Sequence, residues 1–337
     1  VVIVNTIRRL LSLLIVCLGF ITLSACSVTA HGEDPADPRA LRDFSEAMAA
    51  RHGMDADAVE RLIRDEARHQ PEIIEAISNP AEALPWYRYR RIFLTEDRIA
   101  AGVDYWDEHA GWLSAAQARY GVPPAVIVAI IGVETLYGRY RGRHRVIDSL
   151  RTLGFAYPPR ADFFRSELEE FLVLADEEGM DPTTPLGSYA GAMGVPQFIS
   201  SSYRAYAVDF NENGRRDLFS ETADAIGSVG HYLALHGWQA DAPVAVPARV
   251  DGMAWQAFLR TPLEPVDTVA GLEQAGVQPQ RPLEGGQSAR LLALERENGT
   301  EYWVTLQNFY AITRYNHSAL YAMAVHQLAD AIREARQ

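Results

Sequence analysis

The chain has 337 residues, of which 44 are acidic and 31 basic, for a formal charge of −13. An acidic balance of this size argues against a nucleic-acid partner, which needs a clustered basic face, and against electrostatic attachment to anionic lipid. The hydrophobic share of 48% supports a sizeable core, and the length fits two ordinary domains or one large one with an insertion. No internal repeat of solenoid or propeller period is visible.

Residues 1–26 read as a lipoprotein signal peptide. Arg8 and Arg9 form a charged start, Leu10 to Leu23 an apolar run too short to span a membrane comfortably, and Leu23-Ser24-Ala25-Cys26 resembles the bacterial lipobox, in which the cysteine is lipidated. Ser27 follows where an Asp would divert the protein, so the expected destination is the periplasm, on the inner face of the outer membrane, with acyl chains on Cys26 as the anchor. Cys17 and Cys26 are the only cysteines, which excludes disulfides, cysteine metal clusters and thiol catalysis from the mature chain. Residues 27–38, polar with two prolines, read as a tether.

From about 39 to 120 the apolar spacing is helical, with runs from Asp43 to Ala50 and from Asp55 to His69 parted by Gly53. Pro85 to Trp106 is dense in Trp, Tyr and Phe interleaved with Arg88, Arg90 and Arg91. Most of these rings are expected in the core, and the surplus also suits sugar binding. Pro123 to Gly138 then forms a helix that two prolines open and Gly138 can close in a left-handed cap. It is apolar almost all round, so it is buried, and Glu134 is its one carboxylate. Two readings fit: an acid ion-paired in the core or emerging at the helix end, or a carboxyl whose burial keeps it protonated and ready to act as a general acid.

Leu153 to Arg160 reads as an irregular loop, and Ala161 to Glu178 as a helix with its stripe at Phe164, Leu168, Phe171, Leu172 and Ala175. Residues 187–203 hold closely spaced glycines and alanines around Gln197, an amide amid apolar neighbours. Tight helix packing and the floor of a binding groove both explain that composition. In the loop 209–220, Asp209, Asn211, Asn213 and Asp217 occupy positions 1, 3, 5 and 9 of an EF-hand calcium loop, Gly214 position 6 and Arg215 the backbone-carbonyl position 7. Ser220 stands where the bidentate Glu should be and Glu221 comes one step late, so a cation site and an Asx-rich turn compete. A helix from Ala223 to His236 follows. Residues 243–305 turn to prolines and short alternating runs (Val244–Val246, Val266–Val269, Ala289–Leu294, Glu301–Leu306), the mark of a small β-rich insertion, and helix returns from Ser318 to Arg336. His317 is a candidate base by type only.

Four segments together resemble the membrane-bound lytic transglycosylase B family of peptidoglycan-cleaving bacterial lipoproteins: Gly132 to Gly138, Gly187 to Phe198, the Asp209 loop, and Arg314 to Met323. The resemblance runs from about residue 40 to 335. It implies a mainly α (α+β) fold, with a lysozyme-like helical core, an added helical lobe and a small β-rich insertion. The lobe and core would occupy 39–242, the insertion 243–305, and 306–337 would return to the core. It further implies that Glu134 is the catalytic acid and base, and that Ser188, Gln197 and Asn316 line the cleft. Tyr89, Tyr232, Tyr315 and Tyr321 fall on its aromatic positions and Arg160 on a basic substrate contact. Pro159 departs from the commoner pair of arginines.

Glycoside hydrolysis ordinarily uses two carboxylates. Between Pro85 and Gln197 no second acid sits in an equally apolar setting, since Asp148 and Asp162 flank polar turns. A single acid is compatible with help from the substrate's own N-acetyl group, and the resemblance implies cleavage between N-acetylmuramic acid and N-acetylglucosamine with closure of a 1,6-anhydro ring. A muramidase using water and a non-catalytic peptidoglycan-binding lipoprotein are the alternatives. No cofactor is expected for catalysis, calcium in the Asp209 loop would be structural, the partner is the glycan strand, and a monomer is expected.

Overall fold

The computed structural model of the protein describes residues 36–78, 84–260 and 262–337. The expected signal peptide, Cys26 and nearly all of the tether lie outside the described residues. Asp37 opens α1 (Pro38–His52) by accepting the Arg39 N–H, and Gly53 closes it at φ 70°. α2 (Ala56–Arg61) is shorter than the apolar spacing predicts. It passes into a π-helical turn over Leu62–Glu66, after which Ala67 is extended. α3 (Pro71–Ile77), α4 (Trp86–Phe93), α5 (Glu96–Glu108) and α6 (Ala110–Tyr120) follow, and Trp86, Tyr89 and Tyr105 are buried as expected.

α7 (Pro124–Thr135) runs through the middle, buried at every position except Val133 and Glu134. Around it lie α5, α6, α11 (Thr222–Leu235) and α14 (Ala319–Ala335). Between α7 and α11 come β1 (His144–Arg145), α8 (Val146–Ala156), α9 (Ala161–Glu177), β2 (Leu186–Gly187) and α10 (Ser200–Tyr206). β1 and β2 pair antiparallel, with His144 opposite Gly187. The expected loop at Leu153 is helical as far as Ala156, because Leu153 and Gly154 pack into the interior against α9; the break comes only at Pro158.

A five-stranded sheet of order β4-β6-β7-β3-β5 follows α11: β3 (Ala245–Val250), β4 (Asp267–Thr268), β5 (Val277–Pro279), β6 (Ser288–Glu295) and β7 (Thr300–Thr305). The run expected to be a strand through Val269 turns into α12 (Val269–Gln274) there, capped by the Thr268 hydroxyl, and β5 is a strand that its lone Val277 did not signal. Alternation sorts β6 between two cores. Ala289 and Leu291 join Val269, Leu272 and Val304, while Leu292 and Leu294 join the helical core. α4 is tied to this sheet by the Trp86 indole, which donates to Glu301 at 2.8 Å. α13 (Gln307–Tyr315) and α14 bring the chain back to α7. The mainly α expectation holds, and all described elements belong to one compact unit, Pro35–Gln337.

Candidate active site

Glu134 emerges at the last turn of α7, half-buried, so the helix carries it to an opening rather than sealing it inside. The helix ends earlier than Gly138. Leu136 is the left-handed cap at φ 49°, and Tyr137 (φ 61°) and Gly138 (φ 81°) continue in the same region. Two consecutive non-glycine residues in that region cost about 1–2 kcal/mol each, so something must hold them. The Tyr137 ring lies against Gly132, where a Cβ would stand 2.6 Å from the phenol oxygen. Its hydroxyl donates to the Arg98 carbonyl at 2.8 Å, and the Arg98 guanidinium donates to the Gly132 carbonyl at 3.1 Å. Thr135 accepts the Gly138 N–H at 2.9 Å and donates to the Val195 carbonyl at 2.9 Å. The carboxylate is thus borne on a strained turn clamped from both sides.

The Tyr321 hydroxyl donates to Glu134 Oε1 at 2.6 Å. Its neighbour Tyr315, parallel to it within 11° at 6.4 Å, donates to the Pro196 carbonyl at 2.6 Å. Tyr232 packs on Tyr315 at 4.8 Å and donates to the Arg314 carbonyl at 2.6 Å. Burial pushes the Tyr315 and Tyr321 phenols well above their ordinary value, and the charge of Glu134 adds to it, so both remain donors. Tyr89, Tyr232 and Tyr321 are no more than 7% exposed. Their rings are packed into the wall, and Tyr321 among them supplies the hydrogen bond to Glu134.

The segment Gly187–Gln197 is not a helix, but it packs on one: a Cβ on Gly191 would stand 2.5 Å from Leu150 of α8. It folds back through antiparallel bridges Gly187–Met193 and Met193–Phe198. Loops also meet here: a Cβ on Gly194 would stand 2.5 Å from the Leu218 carbonyl, and one on Gly142, outside the segment, would overlap the Gly187 carbonyl at 1.9 Å. Ser188 Oγ accepts the N–H groups of Ala190 and Ala192 at 3.3 and 3.1 Å. Both lone pairs are then used, and the hydroxyl proton is what it can offer. Gln197, at φ 52°, donates its amide to the carbonyls of Gly194 and Arg141 at 2.9 and 3.2 Å. The bonds of Thr135 to Val195 and of Tyr315 to Pro196 bring this loop beside Glu134. Asn316 is the extended residue that ends α13, next to Tyr315 and half-buried.

Arg160 is exposed at the corner between α8 and α9, its guanidinium over Phe163 at 4.3 Å, and His317 is exposed in the turn before α14. The expectation that Asp148 flanks a polar turn, with no second acid in a setting as apolar as that of Glu134, does not hold. Asp148 is buried within α8 and Glu167 within α9. Asp148 is paired with Arg145 at 2.7 Å and accepts the Arg68 N–H and the Gln70 amide, whereas Glu167 takes the N–H and hydroxyl of Ser201. Each is committed to packing the fold.

The Asp209 loop is closed by its own N–H groups. Asp209 accepts those of Asn213 and Gly214 at 3.0 and 2.7 Å, Asn213 that of Arg215 at 3.0 Å, and Asp217 those of Phe219 and Ser220 at 2.8 and 3.0 Å. Glu221 turns inward to accept the Asn211 amide at 3.0 Å. Asp224, absent from the sequence-based set, lies fully buried and receives the N–H groups of Phe210 and Asp217, both at 2.8 Å. Burial raises Asp224, and the nearby charge of Asp209 adds to it. Among the described residues, no three His, Cys, Asp or Glu side chains form a metal-holding group. Asp209, Asp217 and Asp224 thus accept backbone N–H groups, and Glu221 the Asn211 side-chain amide.

Comparison with known proteins agrees across nearly the whole chain. It is 40% identical to the membrane-bound lytic murein transglycosylase B of Escherichia coli strain K12, over 94% of this chain and 89% of that protein. The soluble lytic transglycosylase SltB1 of Pseudomonas aeruginosa superposes with a TM-score of 0.83 at 46% identity, covering 88% of this chain and 99% of that one. The Escherichia coli lytic transglycosylase Slt35 in complex with calcium superposes with a TM-score of 0.79 at 42% identity, covering 88% and 93%. These likenesses bear out the lysozyme-like, mainly α fold. With a model of the transglycosylase SLT domain matching residues 36–330, the chain belongs to that family.

Proposed function

We infer that this protein is a lytic transglycosylase of peptidoglycan in which Glu134 serves as both acid and base. The observation that carries the assignment is the position of Glu134: a carboxyl on the open end of a buried helix, held by the Tyr321 hydroxyl at 2.6 Å, while the buried acids Asp148 and Glu167 are engaged elsewhere. Glu134 gives its proton to the oxygen linking N-acetylmuramic acid to N-acetylglucosamine, and that bond breaks. The N-acetyl oxygen of the muramoyl residue supports the anomeric carbon as positive charge grows. Glu134, now a carboxylate, takes the proton of the 6-hydroxyl, whose oxygen bonds to the anomeric carbon and closes the 1,6-anhydro ring. Ser188, Gln197 and Asn316 orient the sugar by hydrogen bonding, and the Tyr321 donor steadies the carboxylate between its two roles. Mass spectrometry of fragments released from purified sacculi checks the reaction: 1,6-anhydromuramic ends are expected, and reducing muramic ends would replace the mechanism with hydrolysis by water.

The reaction belongs to the cell envelope, and the sequence of residues 8–26 supports the finer placement, in the periplasm with acylated Cys26 in the outer membrane. For the Asp209 loop we propose a structural calcium ion. The donors Asp209, Asn211, Asn213, Asp217 and the Arg215 carbonyl are hard oxygens, and the buried Asp224 beside Asp209 leaves negative charge for a cation to offset. Millimolar calcium should then raise the melting temperature by about 3 °C or more over chelator. Asp209→Ala should abolish that rise, and an unshifted melting curve in the unaltered protein would leave the loop as a turn only.

A further inference from the structure

The other end of α7 carries a cavity that the reaction does not use. It has a volume of about 420 Å³ and lies between the first turn of α7, the Trp238–Val244 segment, the Arg281–Leu283 loop and α14. At about 1.5 Å per residue, its α7 wall at Ala125 stands roughly 14 Å along the helix from Glu134.

Its chemistry is that of a monoanion site with apolar walls. α7 begins without a side-chain cap; Pro124 has no N–H and the Val126 N–H returns to the Pro123 carbonyl at 3.0 Å, which leaves the Ala125 N–H and the positive end of the helix dipole on this side. The Arg281 guanidinium, on the lining, makes one weak bond within the chain, to the Ala245 carbonyl at 3.4 Å. Arg333, by contrast, is engaged with Asp330 at 2.7 Å. His326 also lines the cavity at 6% exposure, and its nearest acid oxygen, on Asp330, is 3.7 Å away, beyond hydrogen-bond length. The imidazole is further held by the Trp303 ring, whose centroid is 5.8 Å away, which fixes its edge toward the lining. Trp238, Val126 and Leu283 supply walls for small aliphatic groups. Asp241 and Asp330 on the same lining would repel a dianion such as phosphate, whereas one carboxylate balances Arg281 and the helix end.

We propose that this cavity binds the carboxylate end of a peptidoglycan stem peptide, a second grip on the wall apart from the cleft; naming the stem rests on the substrate reading above. The carboxylate sits between Arg281 and the first turn of α7, the peptide's methyl groups lie against Trp238 and Leu283, and His326 bonds a peptide group.

The test is a calorimetric titration of the purified full-length protein with diacetyl-L-lysyl-D-alanyl-D-alanine. Saturable binding is expected, unchanged in Glu134→Gln and in Ser188→Ala, and at least about tenfold weaker both for the C-terminal amide of the peptide and for Arg281→Gln. Arg281 is exposed, so that variant should fold. Absence of saturable binding, indifference to Arg281→Gln, or loss in Ser188→Ala would overturn the proposal. Equal binding of the L-alanyl-L-alanine isomer would overturn the stem assignment. Because the titration needs no glycan cleavage, its failure and a failure of the transglycosylase reading are separate results.

Discussion

Glu134→Gln lowers the rate of fragment release from sacculi by between about 10² and 10⁴, the range that a positioned acid and base supplies. The substitution keeps the shape of the side chain and an oxygen for the Tyr321 hydroxyl, so Tyr315, Tyr321 and the clamped turn at Leu136–Gly138 have no reason to move. What disappears is the proton for the leaving oxygen and the base for the 6-hydroxyl. Sacculus binding and melting temperature should therefore stay close to those of the unaltered protein while turnover collapses. A rate within about threefold of normal would remove Glu134 from the chemistry. A protein that binds sacculi equally well but cuts in neither form would be a binding module.

Asp148→Ala destabilises the fold by about 3 kcal/mol, the scale for removing one partner of a buried ion pair. Asp148 is 1% exposed and receives Arg145, the Arg68 N–H and the Gln70 amide; Thr152, one turn on, accepts the Gln70 N–H at 3.0 Å. Together they fasten the stretch between the π-helical turn and α3 onto α8, and the mutation leaves its donors without an acceptor. For a chain of this size the melting temperature should fall by about 5 °C. Activity measured well below the transition should persist, which separates this acid from Glu134. A melting temperature within about 1 °C of the unaltered protein would show that the pair contributes nothing.

Much of this arrangement was legible in the sequence. The apolar helix with one acid, the glycine-rich segment and the return of the chain through Tyr315 and Tyr321 are patterns of composition and order, and they meet in space as the family resemblance implies. What escaped the sequence depends on side-chain partners distant in the chain. Asp148 looked like a turn residue because its partners Arg68 and Gln70 lie some 80 residues away. Gly138 looked like the cap because glycine tolerates positive φ, whereas the Tyr137–Arg98 clamp pays for a cap at Leu136 instead. Asp224 was passed over because the EF-hand spacing looks for its last acid at position 12, where Ser220 stands. Arg160 followed the motif, yet its guanidinium stacks on Phe163, a contact no motif records. The cavity at the start of α7 has no sequence signature at all, since its walls come from four separate segments.

The central claim is that the glycan bond is exchanged within the sugar and no water enters the product. Digestion of sacculi in water enriched in oxygen-18, followed by mass spectrometry of the released fragments, tests this directly. Muramic ends are expected to carry no label and to have the mass of the anhydro ring. Labelled oxygen at the anomeric carbon, with fragments of the hydrated mass, would contradict it.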